Sequence, residues 1–566
     1  MNRFRRLQVP LVLLVAVSLL VSACSPAGAP PEPAKPAATA KPAEPAKPTD
    51  AAKPAEAATP ATKPAAGTPR SGGSLVIAQQ GDLETADPQG GVGVAVYPIY
   101  AMFEPFMDFD EQMQFFPLLA TSWEQVDDSH LRVKLREGVT FHSGAPLNAD
   151  AVRQSFERFA KPGVPGRAYA LLRMVKGVQK VNDYEVIIET DGPFTPLKTH
   201  LSHIAAHLID PAEADKLGTE YGMKPSGTGP FKFVSWQRNN QFVVEKNPNY
   251  FQQGKPYLDK VTYRIIPDAN ARMLALEKGE VDVALTIPPQ EVKRLRNDPN
   301  IDLREVNITR SVYLALNYKR EPFNDPKIRQ AINYAVDKDA IVVALQDDTV
   351  APATIPYPKH VPGSAEGQVR AYGFDPARAK QMLDEAGWMP GSDGIRQKGD
   401  QKLTFKLSYP QGVIPNGKET AEAIQQNLQA VGVGMTIEAL DAPAHFSAMQ
   451  GRELEGYLAA IAAVNGDLHY VFTNQWTCKG LWNGGNYCND QVDKLVDEAQ
   501  RQRDDKDRFA KYVEAQKILA EDSAMVSLFH MRWYIGVRKY VKDLLVSPTE
   551  HILVTNTWLD EGAPKR

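Results

Sequence analysis

The segment PLLATSWEQVDDSHLRVKLREGVTFHSGAPLNADAVRQSFERF (residues 117–159) holds two kinds of periodicity within 43 residues. Ala120-Thr121-Ser122-Trp123-Glu124 is followed by Leu131-Arg132-Val133-Lys134-Leu135, whose apolar and polar residues alternate as in a half-buried strand. Asn148-Ala149-Asp150-Ala151-Val152 then reads as the start of a helix, with Asn148 or Ala149 near its cap. Outward from this segment the same mixture continues. Residues 73–79 read as a strand with Leu75 and Ile77 on one face, and residues 186–189 as another. Residues 231–236 and 241–245 form a hairpin pair. Residues 269–278 read as a helix ended by Gly279 and followed by a strand over 281–285. Residues 377–386 before Gly387, and 421–430 before Gly432 and a strand over 435–439, repeat that order. Two long helical patterns cover 489–502 and 506–520. Helix–glycine–strand order of this kind belongs to α/β architecture.

The first 70 residues do not share this patterning. Arg3, Arg5 and Arg6 precede an apolar run over 11–20, and Val21-Ser22-Ala23 precede Cys24. A basic start, a short apolar core and small residues before a cleavage point make a secretory signal. The apolar core is shorter than the ~20 residues a membrane helix needs. Residues 25–70 are nearly all Ala, Pro, Lys, Glu and Thr, with Ala34-Lys35-Pro36 recurring as Ala46-Lys47-Pro48 and Ala52-Lys53-Pro54. No apolar period offsets chain entropy there, so a solvated tether is expected, extended by about 3.1 Å per residue.

Some 500 residues remain, too many for one core, so two or three domains are expected. The formal net charge is −4, and loss of the three leader arginines makes it more negative. That balance, with no basic run in the folded part, argues against nucleic acid as a partner. The sequence has three cysteines. With Cys24 at the leader, Cys478 and Cys488 remain, close in sequence and outside the reducing compartment. A disulfide closing a short loop is the natural reading, two free buried thiols the alternative, and the Cα separation decides between them.

The quoted segment resembles the signature region of the family 5 extracellular solute-binding proteins, the peptide- and nickel-type receptors of ABC importers. Further segments match in the family's order: PSGTGPFKFVSW (225–236), NPNYFQQGKPYLDKVTYRIIPD (247–268), FNDPKIRQAINYAVDKDAIV (323–342) and FDPARAKQMLDEAGW (374–388). The four residues ending in Cys24 resemble a lipoprotein lipobox, which implies removal of residues 1–23 and lipid on Cys24. The resemblance implies an α/β, two-lobed periplasmic-binding-protein fold of the large, three-subdomain type, with a cleft between the lobes. Residues 24–71 would be the lipidated cysteine and tether. The first lobe would comprise 72–112, an inserted subdomain over 113–226, the stretch 227–315 and the C-terminal part 529–566. The second lobe would span 316–528. Gly227, Gly229, Pro230, Gly138 and Trp123 read as fold-shaping residues rather than ligand contacts.

Ligand contacts in this family come from both lobes, one cluster lying just before and within the cysteine loop. Here that cluster offers Asn465, Asp467, Tyr470, Trp476, Trp482 and Tyr487, and Tyr97 and Tyr100 would face it from the first lobe. The peptide receptors carry an aspartate for the peptide's α-amino group. The alignment places Val464 at that position, three residues before Asp467. A short peptide is the first expectation for the ligand. The aromatic density also suits an oligosaccharide, and the family's range adds a nickel chelate or another organic solute.

His200, His203 and His207 have spacings that would align on one helix face, but the segment changes character at Ile204 and would split them. No His-Glu-x-x-His, phosphate-loop or Gly-x-Ser-x-Gly motif is present. The expectation is a binding protein without enzymatic activity, cofactor or resident metal, monomeric, lipid-anchored on the outer side of the cell membrane. Its permease and ATPase would be separate chains. A sensory or chaperone-like module of the same fold is the second reading, an extracytoplasmic hydrolase the third.

Overall fold

The computed structural model describes residues 67–90, 95–160, 169–346 and 349–566. Cys24 and residues 25–66 of the expected tether lie outside them. The body is organised by one 11-stranded mixed sheet. Its strands run in the order Gly434–Leu440, Thr404–Pro410, Gly456–Ala462, Ile301–Leu316, Val526–Arg538, Val283–Ala284, Ser74–Gln79, Lys260–Ile265, Gln241–Lys246 and Phe231–Gln237, with Ala351–Pro352 also paired to Val526–Arg538.

Two long antiparallel strands, Ile301–Leu316 and Val526–Arg538, join the halves of this sheet. Residues 301–307 lie opposite 532–538, on the side of Ser74–Gln79 and its neighbours. Residues 310–316 lie opposite Gly456–Ala462 on the other side. The pairing slips between Asn307 and Ser311 and again between Val312 and Tyr313, so the ladder is interrupted where the halves meet. Both strands run straight through the expected divisions at 315/316 and 528/529.

Each half carries its own core. Leu75, Ile77, Phe242, Tyr263, Ile535 and Val537 share one in the first lobe. In the second lobe the alternation of the strand sets two faces: Val312, Leu314 and Leu316 enter one core, while Tyr313 and Ala315 enter another. A separate four-stranded antiparallel sheet, ordered Ala120–Asp127, His130–Leu135, Glu185–Thr190, Val175–Asn182, lies within the stretch 113–226 expected as an inserted subdomain. Leu131, Val133 and Leu135 point into its core beside Val152 and Phe156, as their alternation predicts.

Local chemistry explains most helix starts. Asn148 accepts from Ala151 N at 2.9 Å and caps Ala149–Glu157. Asp268, Asp325, Asp375 and Asp441 do the same for later helices. The helix expected over 421–430 begins earlier, at Gly417, because Asn416 takes a left-handed turn immediately before it. The strand expected over 281–285 is only Val283–Ala284, preceded by Asp282, whose carboxylate accepts from Val76 N at 2.7 Å and the Tyr540 hydroxyl at 2.5 Å. Gly227 and Gly229 are required by close approach: a Cβ would lie 2.2 Å from Met102 O at the first and 2.5 Å from Met102 C at the second.

Candidate functional site

The meeting line of the lobes concentrates polar groups from three segments. Thr309 N donates to Pro548 O at 3.0 Å and Thr309 Oγ1 to Ala463 O at 3.1 Å, tying the long strand to the C-terminal loop and to the second lobe. Beside it, Arg310 Nε donates to Glu550 Oε1 at 2.7 Å. Tyr97, from the helix Tyr97–Met102, stacks on Trp533 with ring centroids 5.8 Å apart. Tyr100 stacks on His551 at 4.3 Å and meets His207 edge-on. His551 Nε2 lies 3.3 Å from the buried Asp108 carboxylate. The loop 464–467 sits against Phe109 and Met113. A Cβ on Gly466 would be 2.7 Å from Met113 Cε and 3.1 Å from the Phe109 ring. Farther along, Thr195 N donates to Gln500 O at 2.9 Å, Lys198 pairs with Asp505 at 3.1 Å, and Phe194 meets His469 edge-on at 4.9 Å. The inserted subdomain thus touches the second lobe along a second seam.

Sequence comparisons agree with this architecture. The profile of the bacterial extracellular solute-binding proteins, family 5 (middle), matches residues 114–483. The chain belongs to this family. The glutathione-binding protein GsiB of Pectobacterium atrosepticum is 29% identical over 458 residues, 79% of this chain and 86% of GsiB. Among solved structures, the ABC transporter-associated periplasmic binding protein DppA of Helicobacter pylori, in complex with the peptide STSA, superposes with a TM-score of 0.75 at 26% identity, covering 87% of this chain and 99% of DppA. The oligopeptide-binding protein AppA of Bacillus subtilis, in complex with a nonapeptide, gives 0.75 at 25% identity, covering 87% and 100%. The fold is therefore the two-lobed α/β fold of periplasmic binding proteins.

In this solute-binding protein, the residues singled out from sequence differ in their burial and partners. Tyr97 is buried in the first-lobe core and Tyr100 packs against it, while Asn465 lies on the loop 464–467, its side-chain nitrogen buried without a hydrogen-bond partner. Tyr470 is half-buried and packs against cores of both the inserted subdomain and the second lobe. Trp482 is half-buried at the edge of the second-lobe core, edge-on to Phe446. Trp476 and Tyr487 are core residues. The Trp476 indole N–H is given to the Tyr357 hydroxyl, and the Tyr487 hydroxyl donates to Asp522 at 2.8 Å. Their rings are spent on packing and are not presented to a solute.

Asp467 is also spent. It caps Leu468–Gln475 through His469 N at 2.7 Å and pairs with Arg508 at 2.5 Å, both side chains almost fully buried. Burial opposes its ionisation, but the Arg508 charge and hydrogen bond hold its carboxyl below the ordinary range. Cys478 and Cys488 have Cα atoms 4.3 Å apart and their sulfurs bonded. They close the loop that follows this helix.

The three histidines do not converge. His200 ends a short helix and bonds Leu171 O through Nδ1 at 2.7 Å, His203 accepts from Ala205 N at 3.2 Å, and His207 packs on Tyr100. Burial lowers the pKa of each. A Ser–His–Glu relay that the sequence could not assemble is present: Ser311 Oγ lies 2.7 Å from His530 Nδ1, and His530 Nε2 lies 3.1 Å from Glu366 Oε2. Ser311 is fully buried between paired strands, and Glu366 also accepts from Thr354 and Ile355, so the relay locks the loop at 354–366 to the sheet. A hollow of about 510 Å³ lined by Phe405, Gln425, Met435 and Glu455 lies on the outer part of the second lobe and is separate from the meeting line.

Arg310, Glu550, Trp533 and His551 were not singled out from sequence. Arg310 was visible there as a lone charge directly before the apolar run 312–316.

Proposed function

We propose that this protein is the extracytoplasmic receptor of an ABC importer, that it captures a short peptide between its lobes, and that it delivers the closed form to a separate permease. The observation that carries the reading is the pair of strands Ile301–Leu316 and Val526–Arg538, whose interrupted pairing joins the lobes beside a polar, partly unsatisfied surface. A two-strand connection with a break is where hinge closure can bend, and a solute touching both lobes shifts the open–closed equilibrium. The peptide assignment is supported by relatives that bind glutathione, a tetrapeptide and a nonapeptide. The sugar-stacking alternative loses support because Trp476 and Tyr487 lie in a core. The absence of turnover, the monomeric state and the lipid on Cys24 belong to the same proposal. The last rests on the leader sequence, and Cys24→Ser is expected to move the protein from the membrane fraction to the soluble one.

A thermal-shift panel of glutathione, di- to pentapeptides, oligosaccharides and nickel chelates tests the reading. A peptide present at a hundred times its dissociation constant adds about 2.7 kcal/mol of stability. Silence from every peptide, with a response to a sugar or a chelate, would remove the peptide assignment.

A further inference from the structure

If the cleft takes a short peptide, its charges need partners once water is excluded. The expected carboxylate is missing. Val464 stands in its place, and Asp467 is neutralised by Arg508. One ion pair at the meeting line keeps unspent atoms. Arg310 sits at the slipped register of the long strand, opposite Ala462, two residues before Val464. Its Nε is bonded to Glu550 Oε1, while its two Nη groups and Glu550 Oε2 make no hydrogen bond among the described residues. The two side chains are 26% and 27% exposed, although Thr309 and Ser311 on either side of Arg310 are buried. Strand alternation turns Thr309 and Ser311 to the opposite face, so the Arg310–Glu550 pair is open to solvent beside the Thr309–Ala463 bond that joins the halves. Tyr97 is within electrostatic reach of both members, and Asn465, whose side-chain nitrogen has no partner, lies three residues beyond Ala462.

We propose that Arg310 and Glu550 together anchor an α-amino-acid head of the solute, the guanidinium taking its carboxylate and Glu550 taking its ammonium. A guanidinium presents two parallel N–H donors that match the two oxygens of a carboxylate. The Glu550 oxygen left over is next to it and accepts from an ammonium. Adjacent cation and anion complement a head whose own two charges sit on one carbon. An ordinary α-linked peptide has its ammonium and carboxylate at opposite ends and satisfies only one of the pair. A γ-glutamyl peptide, glutathione included, keeps both on the α-carbon of its first residue, whereas in α-linked Glu-Cys-Gly the first residue's carboxylate sits two methylenes away from the carbon that bears the ammonium. The pair therefore selects γ-linked peptides or single amino acids over α-linked peptides of the same composition.

This inference rests on the peptide reading, and calorimetry on the purified full chain separates the two. The titrants are glutathione, its α-linked isomer Glu-Cys-Gly and N-acetylglutathione. Glutathione is expected to bind at least about tenfold tighter than the α-linked isomer, and N-acetylation to cost about tenfold or more. Arg310→Gln is expected to weaken glutathione binding about thirtyfold, and Glu550→Gln to abolish the discrimination against N-acetylglutathione. Thermal melts establish that each variant is folded. Wild-type affinity in both variants, or equal binding of the two isomers by the wild type, overturns the anchor and leaves the peptide reading standing. If the wild type binds neither isomer and no member of the peptide panel, the peptide reading fails and the anchor fails with it.

Discussion

Residue by residue, the site is built from charges whose compensation is unequal. The Arg508–Asp467 pair is buried on both sides, so removing either partner strands the other in a water-free environment. Arg508→Leu is expected to cost about 3–5 kcal/mol, read as a lowered denaturation midpoint in urea. Glu104 is the opposite case. Burial raises its pKa to about 8, even though it accepts from Tyr250 at 2.6 Å and Thr228 at 3.2 Å. Its contribution is full below the unfolded carboxyl pKa and is lost as pH rises toward 8. The buried imidazoles act in the other direction. Desolvation lowers His203 and His469 to about 3 and His445 to about 4, so their contribution is full above about 6.5 and is lost as pH falls from there. Stability measured by urea midpoints should therefore peak between about pH 6 and 7. Glu104→Gln should flatten the alkaline side, while an unchanged alkaline slope in that variant would show that Glu104 is not its source. Asp467 also shows why sequence misleads at this scale. An aspartate in the family's ligand segment reads as a ligand contact until its partner is known, and Arg508 lies 41 residues away. Trp476 and Tyr487 are the same kind of case: their partners Tyr357 and Asp522 lie 119 and 35 residues away in sequence.

At the level of elements, the readings that succeeded depended on local signals. Alternation located His130–Leu135, and a polar cap followed by an apolar period located Ala149–Glu157. Both need only neighbours within a few residues. The long strands Ile301–Leu316 and Val526–Arg538 were not read as single elements, because their identity as a bridge comes from pairing across more than 200 residues. The loop 464–467 is held at its tip by Gly466, which has φ 71° and no room for a side chain against Met113 and Phe109. Gly466→Ala is expected to lower the melting temperature and weaken solute binding together, since it displaces Val464 and Asn465 against the first lobe. The cysteine loop that follows is ten residues long in sequence separation. Its opening by Cys478→Ser with Cys488→Ser is expected to cost about 2–3 kcal/mol. Intact mass of the native protein, compared before and after reduction, should differ by the two hydrogens of one disulfide.

For the whole molecule, family membership and the fold were legible from ordered motifs spread over the folded chain, and the family profile covers residues 114–483 of it. The ligand was not legible. In the proposed anchor, ligand identity would reside in Arg310 and Glu550, which lie 240 residues apart in sequence. Among the described residues, no helix is long and apolar enough to cross a membrane. In the proposed importer the permease is a separate chain. The central claim is that the space between the lobes holds one short peptide. Native mass spectrometry of the purified protein, offered an equimolar mixture of glutathione, di- to pentapeptides, oligosaccharides and nickel–histidine, reads the captured solute by its mass. The account predicts a single adduct, one per protein chain, with the mass of a peptide. An adduct with the mass of a sugar or of the nickel complex, and none with that of a peptide, would contradict it.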